Sequence, residues 1–198
     1  MRLCYHTPHM SFLPSALKET ILNRQKTLSQ ARRELAALSS EILSASKRCI
    51  FAFHRDDIAG AQAERKAAQQ KIEQGRALLK KYPLLSEEGS WHAAREEFAE
   101  ADFLAQFLTD GKMKTFSDKS GDPEIFIGGL SDFVGELVRQ AVLLATRGEG
   151  ERVEEMYQAA QEVITFLLQM DLTGNLRTKT DQAKQHLRKL EEIRYDLS

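Results

Sequence analysis

Leu28, Ala31, Leu35, Leu38, Ile42, Ala45, Cys49 and Ala52 recur at alternating steps of three and four. A strand repeats every two residues and cannot hold this pattern, whereas a helix lying lengthwise on other helices repeats about every 3.5. The seam runs through more than three heptads. It predicts one long helix from the mid-20s to the mid-50s and leaves little room for any architecture of short elements.

The rest of the chain reads the same way. Asp56 and Asp57 offer caps for a second helix with a seam of Ile58, Ala61, Ala68, Ile72, Gly75 and Leu79, which stops at Tyr82-Pro83 because proline cannot continue a helix. Ser86 with Glu87 and Glu88 opens a third helix to about Leu108, with Asp110-Gly111 as its exit. Asp122-Pro123-Glu124 combines a capping aspartate, a first-turn proline and an acid at the positive end of the dipole. That fourth helix runs to about Arg147, a fifth spans roughly Glu151 to Met170, and a sixth carries Ala183, Leu187, Leu190, Ile193 and Leu197. No segment alternates with period two. The expectation is an all-α bundle of about six helices in a single domain over 1–198, with residues 1–12 loosely ordered and a loop at 109–121. That loop reads as a plain surface connection or as a mobile flap.

Composition narrows the function classes. With 42% hydrophobic and 29% charged residues the chain can bury a core, and four prolines and eleven glycines favour long regular elements. A net charge of −1 excludes a general polycation, so any nucleic-acid binding has to come from a local basic surface. Cys4 and Cys49 are too few for a disulfide scaffold or a zinc site. The opening MRLCYHTPHM lacks the apolar run of a secretion signal, and no stretch has the length of a membrane span, so a reduced cytoplasmic setting is expected.

Two carboxylate pairs stand out. Glu97 and Glu100 sit three apart in the third helix, and Asp132 and Glu136 four apart in the fourth, so each pair shares a helix face. The apolar arc of the third helix holds Trp91, Ala94, Phe98, Ala101, Leu104 and Leu108, and on the helical wheel Glu97 and Glu100 fall beside Leu104. Acids inside an apolar stripe are costly unless compensated, and a hard divalent cation compensates them. Oxygen ligands without Cys or His suit magnesium or manganese better than zinc. The bland alternative stays open: among 29 acidic residues such pairs also arise as solvated faces or as partners of basic residues on adjacent turns.

The segment Ser44–Arg55 (SASKRCIFAFHR) resembles a segment of translin-associated factor X of the form S-K-R-x-I-F-x-x-H-R, on Ser46, Lys47, Arg48, Ile50, Phe51, His54 and Arg55. The stretch EEFAEADFLAQF is similar to that family's E-[YF]-x-E segment, with its acids on Glu97 and Glu100, and GLSDFVGELVR to its G-x-x-D-x-x-G-E-L-x-R segment, on Gly129, Asp132, Gly135, Glu136, Leu137 and Arg139. The closing KLEEIRYDLS resembles the end of translin. The chain is therefore identified, over roughly residues 25–198, as a member of the translin family, closest to its catalytic branch.

That resemblance implies a helical protomer assembling into a closed octameric barrel that encloses single-stranded RNA. The family's magnesium-dependent acidic site maps onto Glu97, Glu100 and Asp132, with Glu136 as a supporting acid. The expected activity is endoribonucleolytic cleavage of single-stranded RNA, with Mg2+ or Mn2+ as cofactor, in a homo-oligomer, and single-stranded DNA is a further candidate ligand. RNA would be held through its phosphates by Lys47, Arg48, His54, Arg55 and Arg139, or by a surface of Arg177, Lys179, Lys184, Arg188 and Lys189. Each cluster also reads as an ordinary solvated face, or for Arg48 and His54 as a buried polar network. His92 beside Trp91 reads as a base-stacking pair or as an aromatic at the core edge. The competing classes are a translin-like module that binds without cutting and a purely structural scaffold.

Overall fold

The computed structural model describes residues 12–197; most of the N-terminal segment expected to be loosely ordered lies outside them. The described residues form six α-helices in chain order: α1 (Ser15–His54), α2 (Ile58–Lys81), α3 (Gly89–Asp110), α4 (Pro123–Thr146), α5 (Gly150–Leu167) and α6 (Gly174–Asp196), with one 3-10 turn at Pro83–Leu85. No strand occurs among them. Two of the starts read from the sequence are capped as expected: Asp57 accepts from the Gly60 N–H at 2.9 Å, and Asp122 from the Glu124 N–H at 3.0 Å, with Pro123 opening α4. α3 instead begins at Gly89, with no side-chain cap, because Ser86 closes the 3-10 turn.

The heptad seam of α1 is the spine of the bundle. Ala31, Leu35, Leu38, Ile42, Ala45, Cys49 and Ala52 are all buried. The start of α1 differs from the expectation, since the helix begins at Ser15. Residues 15–27 are exposed and bury no seam, so the apolar period that marks the rest of the helix is missing there. Once the buried part nucleates α1, adding turns costs little, and good helix formers such as Ala16, Leu17 and Lys18 extend it. With 40 residues in α1 and 24 in α2, the first helix outruns its neighbour by roughly 24 Å at about 1.5 Å per residue.

Two apolar clusters fill the bundle. One joins α1, α2 and the start of α3 through Leu35, Ile42, Ile72, Leu85, Trp91 and Phe98. The larger joins α3 to α6 with the end of α1, and Phe53, Phe103, Leu104, Leu137 and Leu144 are fully buried in it. Each large side chain so buried contributes about 1.5–3 kcal/mol relative to exposure.

α3 and α4 approach closely at Gly129. A Cβ there would lie 2.6 Å from Ala99 Cβ and 3.0 Å from the Glu100 backbone nitrogen. That contact sets the level of Asp132, one turn on, beside the acids of α3. The connection from α3 to α4 is tied down. Gln106 Oε1 accepts from the Lys114 and Thr115 N–H groups at 2.8 and 3.1 Å, and buried Asp118 accepts from Arg95 Nε at 2.6 Å and pairs with Arg76. Among the described residues, no helix is long and apolar enough to cross a membrane.

Candidate functional site

Four helices frame the acids found in the sequence. α3 supplies Glu96, Glu97 and Glu100, and α4 supplies Asp132 and Glu136. α1 brings Lys47 and His54 to one side and α6 brings Lys179 to the other. The α4–α6 contact again depends on a glycine, because a Cβ on Gly135 would stand 2.8 Å from His186 Cε1.

Charge is unevenly matched here. Burial pushes the Glu100 carboxyl up to about 9, and the negative charges of Glu136, Asp132 and Glu97 push in the same direction against Lys179. Burial also raises Glu97; nearby Lys47 draws it back, while Asp132 and Glu136 add to the rise. Glu97, Glu100, Asp132 and Glu136 therefore share one electrostatic neighbourhood.

Three basic side chains partly answer them. Lys179 Nζ donates to both Glu96 Oε1 and Asp132 Oδ2; burial alone would lower its ammonium, but these two partners outweigh it and hold it above the ordinary lysine value. His54 Nε2 donates to Glu136 Oε2 at 2.5 Å while its Nδ1 is buried without a partner. Arg139 reaches Glu136 at 3.3 Å and lies over the Phe51 ring at 5.9 Å.

The other basic residues named from the sequence are scattered. Lys47 and Arg55 are exposed, and Arg48 forms a two-point pair with Glu64 at 2.8 Å on the outer surface of α1 and α2. Lys184 is held by Asp181 on its own helix, and Arg188 is exposed. At about 100° per residue, Arg188 lies on the opposite side of α6 from Lys179. Trp91 is a core residue, with His92 half-buried next to it.

No group of three or more His, Cys, Asp or Glu side chains among the described residues is gathered as a ready metal site. The donor set nevertheless fits a hard cation: it is all oxygen, drawn from two helices, and leaves one carboxyl so disfavoured as an anion that an added positive charge would stabilise it. A separate cavity of about 880 Å3, lined by Phe103, Phe107, Phe126, Phe133 and Phe166, includes none of these acids.

The family model described as Translin family matches residues 30–198. The chain belongs to the translin family. An uncharacterized protein of Methanocaldococcus jannaschii, MJ0175, is 25% identical over 191 residues, covering 91% of this chain and 83% of that protein. Among solved structures, apo-NeC3PO superposes with a TM-score of 0.85 at 22% identity, covering 95% of this chain and all of that one. AfC3PO, solved in complex with duplex RNA, gives 0.83 at 23% identity over 90% of this chain and 95% of that one. At these identities the two structures establish a shared translin-family fold.

Two residues of this acidic strip, Glu96 and Lys179, are not marked as part of it by the sequence. Glu96 sits beside Glu97 without distinguishing context, and Lys179 was one of several lysines on α6. Only the register of α6 on α4 brings Lys179 to Asp132.

Proposed function

We propose that this translin-family protein is a metal-dependent endoribonuclease of the catalytic, translin-associated-factor-X-like branch. The observation that carries the reading is the half-buried strip where burial and mutual charge raise Glu97 and Glu100 beside Asp132 and Glu136. Glu97, Glu100 and Asp132 would hold Mg2+ or Mn2+, with Glu136 supporting. When bound, the cation would supply charge neutralisation at the phosphoryl group and an activated water.

The chain's own residues do the rest. Glu100 gives up its proton when the site is loaded, so metal affinity rises with pH. His54 fixes the Glu136 carboxylate through its Nε2–H. Lys47 and Arg139, at the rim of the strip, are placed to hold backbone phosphates and set the strand's register.

Assembly belongs to the same reading. Leu17, Ile21 and Leu22 are exposed along the overhanging part of α1, as expected of a surface that packs on other subunits. A homo-octameric barrel would have eight times the 22.4 kDa chain mass by light scattering. Cys49 is a buried thiol, in keeping with a cytoplasmic protein.

A second reading, a binding module that does not cut, is favoured by one observation: Lys179 already pairs with Asp132 and Glu96. The two separate in one assay. Labelled single-stranded RNA, with duplex RNA in parallel because a fold neighbour is complexed with it, is incubated with Mg2+ or with chelator. Cutting of the single strand only with Mg2+ supports the nuclease, and RNA bound but intact in Mg2+ supports the module.

A further inference from the structure

Lys179 carries an inference that rests on the metal-site reading above. Its ammonium lies between two helices, bonded at once to Glu96 on α3 and to Asp132 on α4. Only about a fifth of the side chain is exposed, much like Glu96, whereas Asp132 is a third exposed. The lysine is thus an internal counter-ion seated on one of the three acids that would hold the cation. The remaining positive neighbours are poorly placed to take that role: His54 is committed to Glu136, Arg139 lies on the far side of Glu136 over Phe51, and Lys47 stands in solvent.

We propose that Lys179 is a built-in competitor of the divalent cation: it occupies Asp132 when the site is unloaded and yields it when the cation enters, keeping Glu96 as its berth. Three observations support this. Glu96 is a second partner outside the predicted ligand set, so the ammonium need not be released unpaired. Lysine is a flexible point charge that can turn about its stem, unlike a forked guanidinium. The acids, as they stand, are not gathered for a metal, and Asp132 is the one that a lysine holds. Lys179 leaves Asp132 only as the cation arrives, so Asp132 always has a positive partner. Metal affinity is therefore set below what the carboxylates alone would give.

The test is Mn2+ titration by calorimetry on the full chain, comparing wild type with Lys179→Met and Lys179→Gln after each is shown to keep wild-type size and helicity. Both variants should bind Mn2+ about tenfold or more tightly, since a competing unit charge has been removed from a half-buried site. Wild-type binding that is unchanged or weakened in the variants overturns the competitor role and leaves the metal site standing. No Mn2+ binding by wild type or by either variant overturns both. A measurement on the wild type alone covers the case of poorly folded variants. Limited lysine acetylation read by mass spectrometry should change at Lys179 on adding Mn2+, with the other α6 lysines unaffected, and an unchanged Lys179 would contradict the exchange.

Discussion

Two clusters of buried acids flank α3 and are built on opposite principles. At the loop anchor, burial alone would raise the Asp118 carboxyl, but the Arg95 hydrogen bond and charge outweigh it and hold it below the usual carboxylate range; Arg76 adds a second guanidinium. Along the α3–α4 strip, burial and like charges act together and Glu100 is pushed up to about 9. The first cluster is satisfied within the chain and needs nothing more. The second is short of positive charge. A saturated ion pair stabilises a connection, whereas an unsaturated acid strip is suited to a ligand that brings its own charge.

The largest expected difference is in pH dependence without metal. Glu100 holds a proton in the folded chain up to about pH 9 and loses it near its ordinary value when unfolded. Stability should therefore fall as pH rises between these values, by at most about 1.4 kcal/mol per pH unit. Glu100→Gln should flatten that slope in urea unfolding with chelator, and an equally steep slope in the variant would show that the charge excess lies elsewhere. Asp118 works in the reverse sense: its contribution is present above its unfolded value and lost as pH falls through the folded one.

Next in size is the anchor itself. Arg95→Ala leaves buried Asp118 with Arg76 as its remaining guanidinium and should destabilise the chain by up to about 3 kcal/mol with or without Mg2+. A loss that appeared only with Mg2+ would merge the two clusters into one system.

The smallest effects should come from the outer basic residues. Arg48 is exposed and paired with Glu64, so Arg48→Ala should change stability by no more than about 0.5 kcal/mol. Lys47→Ala should weaken RNA binding and lower the magnitude of the salt slope by about one, while Arg188→Ala leaves it unchanged if RNA follows the acid strip. Equal losses for the two would place RNA on both faces.

What the sequence disclosed follows from how local each signal is. The α1 seam from Ala31 to Ala52 is a repeat within one helix and could be read directly. The pairs Glu97/Glu100 and Asp132/Glu136 were visible as spacings and were ranked above other acid pairs by the family resemblance. Their convergence depends on the Gly129 contact, which no spacing reveals. Lys179 with Glu96, and Arg95 with Asp118, are pairs 83 and 23 positions apart whose partners are chosen by helix register and loop path. The early start of α1 was hidden for the opposite reason, because a helix segment that buries nothing in its own chain has no apolar period to show.

Asp132→Asn removes a charge and almost no volume, so it asks whether the α3–α4 strip cuts RNA. Cleavage of single-stranded RNA is measured with saturating Mg2+, alongside RNA affinity and particle size for the same preparations. The variant should keep its size and bind RNA as tightly as wild type, yet cut at least about a hundredfold more slowly, as expected when a metal ligand is lost. Undiminished cutting by Asp132→Asn would contradict this assignment and place the chemistry elsewhere on the protein.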